Sequence, residues 1–388
     1  MNRIEKRVVL HFPGFEPLDA AMHRARYERS ARQSAKAWDY SIETGPLQKD
    51  DSGEHFDVRA GGAGWQSASR VHLFDHNDLV SVFNAGGFFA RLARGYAASV
   101  SVAASGGLTG YFRHAWRFGL FFVFPFLLMA AGMAVSLAIA LAPWIAGLSL
   151  WHLCWSLPLA AFVFVRGFLP RAERLHTLHL FGNWRMAAAM AALDRKDVEA
   201  WLERSADAAR HALNEPADEY VISSHSMGAN MAAHVVGLLL EREPHLFEGK
   251  RVAFVTLGGA IPQCALLKPA SVLRARVGLI ARCPWIDWLD VQCLTDPIHF
   301  YKVRIAALCG HEDARQADIL YVRFKTMLSG EHYARIRRDF LRVHRQYVLG
   351  PDKRASYDFT LMTAGPWPAS DFAPAGITEL PAEQALAS

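Results

Sequence analysis

The chain has 388 residues, enough for one large domain or two ordinary ones, and a formal net charge of +5. Hydrophobic residues make up 52%, high for a soluble enzyme, and the basic residues form no Lys/Arg run dense enough to suggest nucleic acid. The five cysteines (Cys154, Cys264, Cys283, Cys293 and Cys309) are odd in number and form no C-x-x-C, which argues against a disulfide framework or a zinc site and points to reduced, cytosolic thiols.

The N-terminus "MNRIEKRVVLHF" has no apolar h-region before a cleavage site, so it does not read as a signal peptide. Its apolar run predicts a buried strand from about Arg7 to Phe12, ended by Pro13-Gly14. Residues 17 to 37 read as a basic helix. "WDYSIETG", "HFDVRAG" and "RVHLFD" read as strands, and Asp78 to Arg94 as a helix.

Gly119 to Val165 then runs without a single Asp, Glu, Lys or Arg. A membrane-crossing helix needs about 20 apolar residues. The stretch therefore predicts two spans, near 119–141 and 145–168, with a turn around Ala142-Pro143-Trp144 and with Trp144 and Trp151 at one interface. Arg113 and Arg117 precede the hairpin, and Arg166, Arg171 and Arg174 follow it. By the positive-inside rule both its ends, and both chain termini, face the cytoplasm of a bacterial-type inner membrane.

Downstream, Trp184 to Leu213 reads as one long helix, Tyr220 to Ser223 as a strand and Ser226 to Glu241 as a helix. "RVAFVTL" (Arg251 to Leu257), Trp288 to Leu294 and Ile319 to Lys325 supply three more strands, and the Pro/Ala/Gly-rich tail from about Ala364 reads as loose. Strands alternating with helices predict an α/β fold with a mostly parallel sheet and flanking helices. The expected organisation is an N-terminal part of the domain (1–112), an inserted transmembrane hairpin (113–175), a C-terminal part (176–363) and a flexible tail (364–388).

The chemistry concentrates at "SSHSMG", where Ser226 stands between a strand and a helix. Gly228 follows two residues on, and Ala229, Ala232 and Ala233 keep the helix slim. This resembles the G-x-S-x-G nucleophile elbow, with Ser224 at the first Gly position. The chain thus resembles an α/β-hydrolase of the lipase/esterase kind, and in particular bacterial membrane-associated members that carry a transmembrane hairpin. The resemblance covers roughly residues 5 to 348 and is specific chiefly at the elbow.

The resemblance implies a triad in the order Ser, Asp/Glu, His, and two amides for the oxyanion. The amide after the nucleophile is that of Met227. The second would come from "HFPGFEP", with Phe15 first and Gly14 next. The acid would lie in "WIDWLDVQCLTDPIHF": Asp296, which precedes Pro297-Ile298, fits the family placement, with Asp290 and then Asp287 as alternatives. The base would be His344, in Arg342-Val343-His344-Arg345-Gln346-Tyr347, or else His332 nearer the last strand. His225 reads as a residue beside the nucleophile that touches substrate. The pairs His176/His179 and His72/His76 lack the companions of a metal site, and "GGAG" at 61–64 lacks the Lys-Ser/Thr of a P-loop. The implied protein is a membrane-anchored serine hydrolase, without cofactor or metal, that cleaves or transfers acyl esters of lipid-like substrates. The competing reading is an inactive hydrolase-like scaffold or binding domain at the membrane.

Overall fold

The computed structural model describes residues 3–373, 376–377 and 379–380. The fold is mixed α/β, a central sheet with helices on both sides. Its nine strands are β1 (Lys6–Phe12), β2 (Ser41–Thr44), β3 (Gln48–Asp50), β4 (Gly53–Gly62), β5 (Trp65–Leu73), β6 (Glu219–His225), β7 (Val252–Leu257), β8 (Ile286–Cys293) and β9 (Asp318–Val322). The order is β2-β4-β5-β1-β6-β7-β8-β9, with β3 on β4. Pairings from β5 through β1 to β9 are parallel, and those among β2 to β5 are antiparallel.

Successive side chains of the central strands point to opposite faces, and both faces are covered. Val8, Leu10 and Phe12 of β1, Ile222 of β6 and Phe254 of β7 enter one core, against the helices Lys196–Leu213 and Gly228–Arg242. Val9, Val221 and Val255 point the other way, into a second core with the helix Ala20–Trp38 and the segment around Tyr347 and Phe359. The end of β1 is locked to β6 by the pairs His11↔Ser223 and Phe12↔Ser224, so the loop leaving β1 and the turn leaving β6 emerge side by side.

Two helices, Trp116–Ile145 and Leu150–Arg174, are long and apolar enough to cross a membrane. The turn between them falls at Ala146–Ser149, later than the expected 142–144, and Pro143 is inside the first helix. The two helices run over 116–145 and 150–174, where 119–141 and 145–168 were expected. At 1.5 Å per residue the first helix is about 45 Å long, against roughly 30 Å of bilayer hydrocarbon. Its first turns instead pack on the domain, where Phe118, Phe121 and Phe122 surround Trp184. Farther along, Leu127, Val135, Leu137 and Ile145 are exposed, as are Trp151 and Phe162 on the second helix.

Other boundaries move for local reasons. The helix expected over 78–94 is broken into Asn77–Asn84 and Phe88–Ala104, because Gly86 takes φ 105° and redirects the chain. The helix expected over 184–213 is two, Thr177–Ala192 and Lys196–Leu213, parted where Leu193 adopts φ 49°. The segment expected to be loose packs where it is described: Trp367, Ala369, Phe372, Ile377 and Leu380 are buried, and the Arg7 guanidinium donates to the carbonyls of Gly365 (2.9 Å) and Trp367 (2.5 Å). Residues 381–388 of the expected tail lie outside the described residues.

Candidate active site

Ser226 follows β6 directly and has φ 54°, a left-handed conformation that is strained for a residue with a Cβ. Tertiary hydrogen bonds hold it: its amide donates to Leu257 O (3.2 Å), and its carbonyl accepts from Ala260 N (3.1 Å). The turn throws the side chain off the sheet's edge while the chain enters the helix Gly228–Arg242. Gly228 is required by close approach, because a Cβ there would fall inside 3.0 Å of the Phe12 and Pro13 carbonyl oxygens. Ser224, at the first small position, is buried, and its hydroxyl donates to Val255 O (3.0 Å). The extra hydroxyl is thus satisfied by the neighbouring strand.

The loop after β1 lies against this turn. A Cβ on Gly14 would sit 3.2 Å from Ser226 Cβ and 3.1 Å from His225 Nδ1. Among the described residues the amides of Gly14, Phe15 and Met227 donate to no acceptor. Phe15 itself is fixed by its carbonyl, which accepts from His179 Nε2 (3.0 Å). His11 is not part of this group; it lies within β1, with Nδ1 3.2 Å from Ser223 Oγ and its ring against Phe359.

Asp296 follows β8 and is buried. Its Oδ1 accepts from Ile298 N (2.9 Å), and its Oδ2 from His344 Nδ1 (2.7 Å), with His299 Nδ1 at 3.4 Å. Burial pushes this carboxyl up, but the charge of His344 and hydrogen bonds from His299 and His344 outweigh it, holding Asp296 well below the usual carboxylate range. His344, in the short helix Phe340–His344, therefore carries its proton on Nδ1. Its Nε2 is buried and has no hydrogen-bond partner. His344 and Ser226 line the same cavity, of about 50 Å³, without a hydrogen bond between Ser226 Oγ and His344 Nε2.

The alternatives separate clearly. Asp290 lies within β8 and is engaged by Thr256 Oγ1 (2.7 Å) and Gln292 Nε2 (2.6 Å), while burial raises its pKa. Asp287 pairs with Arg315 (2.7 Å) at the surface. His332 lies within a different helix, Gly330–Ile336, where its amide donates to the capping Ser329 Oγ and its Nδ1 bonds Asp352 (2.9 Å). None of the three lines the cavity around Ser226.

His225 lies beside the nucleophile as its position in the sequence implies; Glu16, Gln263, Arg345, Phe121 and His299 are the site neighbours not singled out from sequence. His225 is buried and its Nε2 donates to His344 O (3.0 Å), so it positions the histidine as well as lining the cavity. Burial, reinforced by the charge of His344, pulls its pKa down to about 3 and keeps it neutral. Glu16 is buried between Arg26 (2.6 Å) and Arg345 (2.6 Å). Burial raises its carboxyl, but the two guanidinium groups hold it well below the normal range. Gln263, Arg345 and Phe121 also line the cavity, the last from the first apolar helix. Only His299, three residues past Asp296, had a spacing that could have flagged it. Among the described residues no three His, Cys, Asp or Glu side chains group as a metal would require.

Scanned against models of protein families, curated proteins and solved structures, the chain matches none of them.

Proposed function

We propose that this chain is a membrane-anchored serine hydrolase of the α/β-hydrolase type, acting on acyl esters of lipid-like substrates. The observation that carries the reading is the chain Asp296 Oδ2···His344 Nδ1 at 2.7 Å, with a bare Nε2 on the wall of the cavity that holds Ser226 in a strained turn.

In this mechanism the Ser226 hydroxyl oxygen bonds to the acyl carbonyl carbon and its proton passes to His344 Nε2. Asp296 orients the imidazole and stabilises its charged form. The amides of Met227 and Phe15, with Gly14 adjacent, are free to donate to the oxyanion. The tetrahedral adduct collapses, the ester C–O bond breaks, and the leaving alkoxide takes the proton from Nε2. Water, deprotonated by the same nitrogen, then attacks the acyl-enzyme and releases the acid. An alcohol in place of water gives acyl transfer by the same steps. The two apolar helices are read as an anchor in a bacterial-type inner membrane, with the catalytic domain and both termini on the cytoplasmic side, because arginines flank the hairpin at both ends.

A binding or scaffold domain without activity is the second reading, favoured by the missing Ser226–His344 hydrogen bond. Treating the detergent-solubilised full chain with a fluorophosphonate probe separates the two. Wild type should label and Ser226→Ala should not. A folded wild type that stays unlabelled, or equal labelling of both, sinks the hydrolase reading.

A further inference from the structure

Two side chains lining the cavity beside Ser226 carry N–H donors with no acceptor among the described residues. Gln263 is buried at 2% exposure, and its Nε2 has no partner. Its backbone is fixed, since its carbonyl accepts from the buried Tyr111 hydroxyl (2.5 Å). A buried N–H left unpaired is unfavourable, so such a group marks a place where a ligand oxygen belongs.

Arg345, the residue after His344, lines the same cavity. Its Nε is held by Glu16 at 2.6 Å, which fixes the plane of the guanidinium. Its two Nη atoms have no acceptor among the described residues. Glu16 is also bound by Arg26, so one carboxylate faces two guanidinium groups and the cluster keeps one positive charge. Of the two guanidinium groups only that of Arg345 lines the cavity, and its free Nη atoms suit a phosphate or carboxylate.

The apolar part of the lining includes Phe121, Ile298 and Leu341. Phe121 belongs to the first apolar helix, so this wall continues into the exposed apolar surface of the hairpin. The cavity is small, and only the ester and the nearest head-group atoms fit inside it.

We propose that the substrate is an acyl ester whose alcohol portion bears an anionic group, as in a phosphate-bearing lipid, with Arg345 as head-group ligand, Gln263 as donor to an ester-proximal oxygen and Phe121 as the contact for the acyl chain. This rests on the hydrolase reading above. It makes Arg345 a determinant of which ester is taken.

The test uses the full chain in detergent micelles and compares lysophosphatidylglycerol with a monoacylglycerol of the same acyl chain. Fatty-acid release is measured for wild type, Arg345→Gln and Arg345→Lys. Wild type should prefer the anionic ester. Loss of a charged hydrogen bond should make Arg345→Gln fall roughly 10- to 100-fold more on the anionic ester than on the neutral one, mainly through KM, with Arg345→Lys between. Glycerol phosphate should compete poorly, since it lacks the acyl chain; competition as strong as that of the lipid would overturn the lipid assignment. Wild-type preference for the neutral ester, or equal losses on both, overturns the head-group role while leaving the hydrolase reading intact. No turnover of either ester together with no fluorophosphonate labelling overturns both.

Discussion

Replacing Gly228 by alanine tests how the candidate site is assembled, because it adds one methyl group where two backbones meet. The new Cβ would lie 2.8 Å from the Phe12 carbonyl carbon and inside 3.0 Å of the Phe12 and Pro13 oxygens. Carbon atoms pack best at about 3.5–4.0 Å, so one backbone must yield by roughly 1 Å. Phe12 resists, since it ends β1 and is paired with Ser224. The displacement therefore passes to Pro13–Glu16, the loop that presents the Phe15 amide and the Glu16 carboxylate. Overpacking of this kind destabilises by about 1–3 kcal/mol. Moving an oxyanion donor by about 1 Å lowers kcat roughly 10²-fold. The assay is turnover of a p-nitrophenyl ester, with the fluorophosphonate labelling rate and Tm measured alongside. Gly330→Ala is the control, because a Cβ there meets nothing within 4 Å and φ is not left-handed. Gly228→Ala with near wild-type turnover and Tm refutes the close approach and the role assigned to the loop.

Further outcomes follow from the same geometry. His344→Ala should lower ester turnover roughly 10³-fold and Asp296→Asn by roughly 10²- to 10⁴-fold, whereas His332→Ala should stay within about 3-fold; the reverse order of the two histidines would exchange their roles. Stability should fall in acid. Burial holds His76, His225 and His234 at about 3, and His23 at about 4, against about 6.5 unfolded. Because the folded pKa is depressed, the unfolded chain takes up protons first, so the contribution is complete above about 6.5 and is lost as pH falls towards 3–4. At pH 5 each histidine accounts for roughly 2 kcal/mol. Asp358, raised to about 6 by burial, opposes this by only about 1 kcal/mol between pH 7 and 5. Melting of the solubilised protein at pH 7.5 and 5.0 checks the sign; an unchanged or higher Tm at pH 5.0 contradicts it.

The sequence by itself determined the strands and the apolar hairpin, because each rests on local periodicity and composition. Runs such as "RVVLHF" and "RVAFVTL" place apolar residues at consecutive positions and have to be covered on both faces. The charge-free stretch from 119 to 165 is readable residue by residue, although its turn falls later than expected, because Pro143 is accommodated within the helix. Sequence could also mark Ser226, since the signal sits in adjacent residues.

Only the tertiary structure decided which acid and which histidine meet. Asp290 and Asp296 are six residues apart, yet one faces Thr256 and Gln292 within the sheet and the other faces His344 beyond its edge. His332 and His344 are separated by partner, Asp352 against Asp296. Ser224 is tolerated because Val255, on the neighbouring strand, offers a carbonyl to its hydroxyl. Glu16, Arg26 and Arg345 become a charged cluster only when the loop after β1, the helix Ala20–Trp38 and the segment Arg345–Val348 are brought together, across more than 300 residues of chain. Strand register and burial fix such pairings, and a linear sequence carries no local trace of them.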